Sequence, residues 1–226
     1  MPTIDELWQS PEHSVWTAAL DRYWCYVQPA NLALETSLDQ LDLERIRSFD
    51  AQGWYDFLFA EYFRWKYTTE NRYKTTTVLL SVYAMESGGL DKLHAIKNQL
   101  LQIDPVEIRV GLLLAKAIHG LGVAGASGLL ALLYPGSFAT VDQFVVKALR
   151  GVAELPEADE LSRFKNPTDI TIPQGVTLIG IMRRKAEENN RQFGTTEWTP
   201  RKIDQILWTY GRDAGLSPHV CAPQKA

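Results

Sequence analysis

Apolar residues recur at three- and four-residue spacings along most of the chain, so its dominant period is helical. The pattern predicts helices over 13–27, 37–48, 51–66, 71–86, 90–102, 105–119, 124–134, 141–150, 175–190 and 200–211. Punctuation supports several of them. Asp104-Pro105-Val106-Glu107 supplies an N-cap, a proline at the first helical position and an acid at the third. Thr199-Pro200 repeats that logic before RKIDQILWTYG, where Ile203, Ile206, Leu207 and Tyr210 share a face and Gly211 marks a C-terminal stop. Only ITI at 170–172 and parts of 137–141 read as strand. The polar, proline-containing stretch 154–175 reads as a long connection to a C-terminal helical pair. There is no internal repeat and no low-complexity segment.

One block departs from simple amphipathic helix. Residues 111–133 are almost continuously apolar, and about 20 such residues can cross a bilayer as a helix. Lys116, His119 and five glycines interrupt the run, which favours a buried helical hairpin over a membrane span. At its centre, HGLGVAGASGLL (119–130) contains G-x-G-x-x-G over 120–125. A dinucleotide-binding turn requires a strand before Gly120, a helix from about Gly125, and an acid about 20 positions on, where Asp142 stands. The preceding PVEIRVGLLLAKAIH is helical instead, and no second β-α unit follows. The competing reading is helix, glycine turn, helix. Gly120 and Gly122 permit positive φ or close approach, and Ala124, Gly125, Ala126, Ser127 and Gly128 let two helices pack closely. The first amides of the second helix are then left unpaired at a positive dipole end, an arrangement suited to a phosphate.

Composition narrows the classes. The 226 residues are 46% hydrophobic and 11% aromatic, enough for one sizeable core. We expect a single globular unit over 1–226, with a lobe of about 80–150 packed against helices from 1–79 and 175–212. A formal charge of −4 does not suit nonspecific coating of nucleic acid, although it leaves room for a local basic groove. Cys25 and Cys221 lie near opposite ends and form neither a disulfide framework nor a metal spacing, and His13, His94, His119 and His219 are scattered. We therefore expect no metal, no cofactor and a reducing, cytoplasmic setting. MPTIDELWQSPEH has no basic n-region or apolar h-region, so no secretory signal is expected.

Two further clusters bear on chemistry. YFRWKYTTENRYK (62–74) interleaves aromatics with Arg64, Lys66, Arg72 and Lys74. Trp65, Lys66, Arg72, Lys74 and, beside the hairpin, His119 are the candidate DNA or base contacts: cations meet phosphate and an aromatic stacks on an extruded base. The bland alternative is an amphipathic helix pair with Tyr62, Phe63 and Trp65 partly in the core and Thr68 or Thr69 opening the next helix. Arg183-Arg184-Lys185, followed by Glu187-Glu188, reads as a solvated face. Trp198 and Trp208 read as packing residues.

Gly120-Leu121-Gly122, Ala126, Leu129-Leu130, Pro135, Phe138 and Val141-Asp142 together resemble the helix-hairpin-helix DNA glycosylase superfamily. More narrowly, EYFRWKYTTENRYKTTT (61–77), the hairpin block and WTPRKIDQILWTYGR (198–212) resemble uncharacterised bacterial proteins with an 8-oxoguanine-glycosylase-like fold. The resemblance implies an all-α, helix-hairpin-helix fold of two helical lobes around a cleft. It implies duplex DNA as partner, its backbone held by Gly120, Gly122, Ala124 and Gly125, with no membrane and no obligate protein partner. It also implies a catalytic Asp142, whose carboxylate stabilises an oxocarbenium-like sugar and orients or deprotonates water. Asp142 is equally placed to N-cap QFVVKAL, and the two roles are compatible. Much of the family has a catalytic lysine where this chain has Ala124. The implied enzyme is thus a base-releasing hydrolase without strand-cleaving activity. Lys116 and Lys147 are the replacement amines considered. A non-catalytic DNA-binding module that keeps the fold, and a nucleotide-cofactor oxidoreductase, stand as alternatives.

Overall fold

The computed structural model describes residues 2–166 and 168–213. Every regular element among them is helical, and none is a strand. No described helix is long and apolar enough to cross a membrane.

Local chemistry sets most boundaries. Thr3 opens α1 (Ile4–Trp8) with a reciprocal cap, its hydroxyl accepting from the Glu6 amide while the Glu6 carboxylate accepts from Thr3 N. After α2 (His13–Tyr26) and a 3₁₀ turn at Pro29–Asn31 come α3 (Leu32–Asp39) and α4 (Leu43–Ser48). These two replace the single helix expected over 37–48, because the Asp42 side chain caps a new start. Asp50 caps α5 (Ala51–Asp56), which runs through a π-helical stretch, Phe57–Tyr62, into α6 (Phe63–Lys66). Thr69 precedes α7 (Glu70–Met85), and α8 (Gly89–Leu100) follows a left-handed Gly88.

Next come α9 (Ile108–Lys116), α10 (Val123–Leu133), α11 (Gln143–Leu149) and α12 (Ala158–Ser162). The chain closes with α13 (Ile172–Phe193) and α14 (Pro200–Asp213). α9 starts later than the Asp104-Pro105 signal predicts. Asp104 instead closes a turn, its carboxylate accepting from Val106 N at 2.9 Å. The ITI stretch is not a strand either, since Thr171 and Gln174 form a capping box and Ile172 begins α13. Residues 137–141 form a connection rather than a strand. Thr199 behaves as expected, accepting from Lys202 N at 3.2 Å.

Buried side chains form one continuous cluster from Leu7 to Leu207. α14 packs on α11, α2 and α13, and α9 packs on α10 and α13. Gly211 does not stop α14. It lies inside the helix, where a β-carbon would sit 1.9 Å from the Phe144 carbonyl oxygen. The glycine is there because α14 crosses α11 at backbone contact.

The reading of residues 183–185 as a solvated face and the reading of the cysteines as unlinked are both corrected. Arg183 and Lys185 do not belong to a solvated face. Arg183 donates to the carbonyls of Pro105, Val106 and Ser137, and Lys185 is buried with Nζ 2.7 Å from the Trp8 carbonyl. Only Arg184 is exposed, paired with Glu157. Cys25 is disulfide-bonded, against the expectation of unlinked cysteines; Cys221 and His219 lie outside the described residues.

Candidate functional site

The site begins at the glycine hairpin. α9 ends at Lys116, the chain turns through residues 117–122, and α10 starts at Val123. Gly120 has φ +92°, and a β-carbon there would lie 2.6 Å from the Thr76 carbonyl oxygen. Conformation and space therefore both demand glycine at this position. Gly122 differs: its φ is −81° and nothing lies near its missing side chain. Its outer face is open, and it N-caps α10 without any side-chain hydrogen bond to the first-turn amides. The strand that a dinucleotide turn needs ahead of Gly120 is absent, because that segment is α9.

The small residues of α10 admit the aromatic segment 62–67. Tyr62 Oη donates to the Gly125 carbonyl, and Tyr67 Oη donates to the Gly120 carbonyl at 3.1 Å. β-Carbons on Gly125 and Gly128 would sit 2.7 Å from Tyr67 Oη and 2.9 Å from Tyr62 Oη, respectively. The hairpin and the aromatic-basic stretch are thus one unit. Tyr62 and Phe63 are buried, as the packing alternative expected, and so is Tyr67, whereas Trp65 is only half-buried and reaches a cavity with Lys66.

Asp142 is fixed against that unit from the other side. Val141 N donates to Ser127 Oγ at 3.0 Å, and Ser127 Oγ donates to the Ala124 carbonyl at 3.0 Å. Asp142 caps α11, its Oδ1 accepting from Phe144 N at 2.8 Å and Val145 N at 3.0 Å. Oδ2 takes no hydrogen bond among the described residues. The capping role is therefore real, and the same side chain also lines the cavity.

That cavity has a volume of about 720 Å³. Ala124, Asp142, Lys66, Arg72 and Trp65 line it, together with Tyr26, Phe144, Trp208 and Arg212. Its floor is a buried polar network. Glu35 accepts from Tyr23 Oη at 2.5 Å, Trp65 Nε1 at 2.6 Å and Arg201 Nη2 at 3.4 Å. Arg201 Nη1 donates to Asp204 Oδ1 at 2.8 Å, and Asp204 Oδ2 accepts from Thr140 N at 2.6 Å. Arg201 Nε is buried and lacks a partner. Burial pushes the Asp204 carboxyl up to about 6, against the opposing pull of Arg201 and the Thr140 amide. Burial also lowers the Lys66 amine below the ordinary lysine range, while Asp142 and Asp204 act in the opposite direction.

The sequence-derived residues therefore divide. Asp142, Ala124, Trp65, Lys66 and Arg72 come together at the cavity, and Gly120, Gly122 and Gly125 build the adjoining hairpin. Lys74 does not join them. It is exposed and pairs with Glu70 at 3.3 Å, one turn away on α7. His119 stacks on Tyr83 at a centroid distance of 3.9 Å on the outside of the hairpin. Neither Lys116 nor Lys147 lines the cavity.

Sequence reasoning missed the floor: Glu35, Thr140, Arg201 and Asp204. It took Trp208 for packing alone, but Trp208 both packs against Tyr23 and Phe144 and lines the cavity. No group of three or more metal-binding side chains occurs among the described residues. No protein-family model, curated protein or solved structure matches the chain.

Proposed function

We propose that this protein binds duplex DNA in the manner of a helix-hairpin-helix glycosylase and releases a base from an extruded nucleotide. One observation carries the reading: Asp142 lines an aromatic, cation-bearing cavity whose rim also contains Ala124, in the first turn of the hairpin's second helix. Phosphate held at the uncapped amides of α10 delivers the adjacent nucleotide to that cavity. Trp65, Tyr26 and Trp208 offer faces or edges to a planar base, and Arg72 and Arg212 supply positive charge that the net composition hides. As the bond from base to sugar breaks, positive charge grows on the sugar, and the Asp142 carboxylate is placed to stabilise it and to take a proton from the attacking water. The capping bonds to Oδ1 hold the carboxylate in one orientation and leave Oδ2 for this work.

Asp142→Asn separates the two roles. Asparagine caps helices as well as aspartate does, so the melting temperature should stay nearly unchanged. Base release from duplexes carrying oxidised, alkylated or deaminated bases should fall by about 10²–10⁴-fold. Release that survives the substitution removes Asp142 from the chemistry. DNA binding without release of any of these bases, even by the wild type, supports the non-catalytic module instead.

A further inference from the structure

α7 is apolar on two faces. Its inner face is buried through Thr77 and Leu80, and the Thr76 carbonyl lies against Gly120. Its outer face carries Val78, Leu79, Val82 and Met85, which are 49 to 85% exposed. The other large apolar side chains exposed among the described residues lie on α9 and the turn before it. Scattered exposed apolar residues need no explanation, but a stripe along one helix marks a contact surface. Thr75, Val78, Val82 and Met85, all exposed, recur at spacings of three and four, a seam against which a second helix can pack. Charge brackets that seam. Lys74 stands exposed at one end, and Glu86 stands exposed at the other with no ion pair among the described residues.

We propose that this face is a self-association surface, through which two copies of the chain pair α7 against α7, antiparallel, about a two-fold axis at position 80. Self-complementarity carries the choice of occupant. Positions 78 and 82, 75 and 85, and 74 and 86 are each equidistant from position 80. An antiparallel copy therefore lays Val78 on the partner's Val82 and Thr75 beside the partner's Met85, and it sets Lys74 level with the partner's Glu86 at both ends of the seam. A parallel copy would set lysine beside lysine and glutamate beside glutamate, with the helix dipoles aligned unfavourably. Lys74 is free to exchange its intrachain partner, because Glu70 keeps Arg64 at 3.6 Å. The 16 residues of α7 offer a strip about 24 Å long and about 10 Å wide. That is less than the roughly 800 Å² per partner of a standard interface, so the dimer is weak, with a Kd of about 10–100 μM. The inference does not rest on the DNA reading.

Sedimentation velocity of the full chain over a range of concentrations reads the dimer, and zero-length carbodiimide cross-linking with peptide mass mapping reads its register. Lys74 and Glu86 of one chain stand about 18 Å apart along the helix, so an amide between them forms only between two copies. We expect that amide in the cross-linked dimer, and a Kd raised about tenfold or more by Val82→Glu, which places a charge in the seam. Lys74→Glu and Glu86→Lys should each weaken the dimer several-fold. Mixed in equal amounts, the two variants should pair with each other more tightly than either pairs with itself, because one chain then carries acids at both ends of the seam and the other carries bases. A monomer at every concentration overturns the proposal, and so does a dimer indifferent to Val82→Glu. A dimer that lacks the amide and gains nothing from mixing the charge variants overturns the antiparallel register and the proposal with it. The wild-type cross-link needs no substitution, so it decides alone where a variant fails to fold.

Discussion

Replacing Arg201 by methionine should lower stability by about 3–5 kcal/mol, the cost of stripping one partner from a buried charge network. Arg201 is 5% exposed and holds both Glu35, 7% exposed, and Asp204, 2% exposed. Methionine fills similar volume but leaves two carboxylates facing a low-dielectric interior. Asp204 already ionises with difficulty at about 6, so its proton uptake should absorb part of the loss. Urea unfolding measures the effect. Adding Asp204→Leu to Arg201→Met should recover part of it, because one orphaned charge is then gone. A loss below about 1 kcal/mol in the single variant would mean the network contributes little to folding.

Gly211→Ala carries the second large effect. Overpacking commonly costs about 1–3 kcal/mol, when a flexible side chain can give way. Here the new methyl meets backbone, 1.9 Å from Phe144 O and 2.6 Å from its carbonyl carbon, so α11 and α14 must separate. The expected loss is about 3 kcal/mol or more. α11 begins at Asp142, so the same variant should also weaken whatever depends on that carboxylate. Gly180→Ala is the internal comparison. Gly180 lies in α13 with its nearest neighbour, Arg184 Nη1, at 3.9 Å, and alanine there should stabilise by about 0.5–1 kcal/mol. Equal unfolding midpoints for the two variants would contradict the close crossing of α11 and α14.

The fate of these two residues shows what the sequence can convey. Helix period and caps are local, so the segments around 13–26, 51–66, 70–85 and 123–133 were legible, as were Asp142 and Thr199 as caps. Gly211 was misread because a glycine near a helix end looks like a stop, and only the crossing partner, far away in sequence, reveals why it is there. The hairpin and the aromatic-basic stretch were each visible, but not their union, which depends on Tyr62 and Tyr67 reaching the carbonyls of Gly125 and Gly120. The floor was invisible for the same reason. Glu35 and Arg201 meet from opposite ends of the chain, and Thr140 meets Asp204 across 64 positions. No local spacing encodes such pairs. Lys66 was legible as a basic residue beside an aromatic. Its separation from Arg64 and Lys74, which face solvent and share Glu70, required the fold.

The central claim is that the hairpin and the cavity act together on DNA. It is tested most directly by titrating the wild-type protein into a fluorescent duplex containing a stable abasic-site analogue, with an intact duplex of the same sequence as reference. The hairpin predicts binding to both that weakens steeply with added salt, because phosphates are neutralised on association. The cavity predicts tighter binding to the abasic duplex, since a nucleotide that is already unpaired enters at lower cost. Preference for the abasic duplex is the predicted result. No binding to either duplex at low salt would contradict the account.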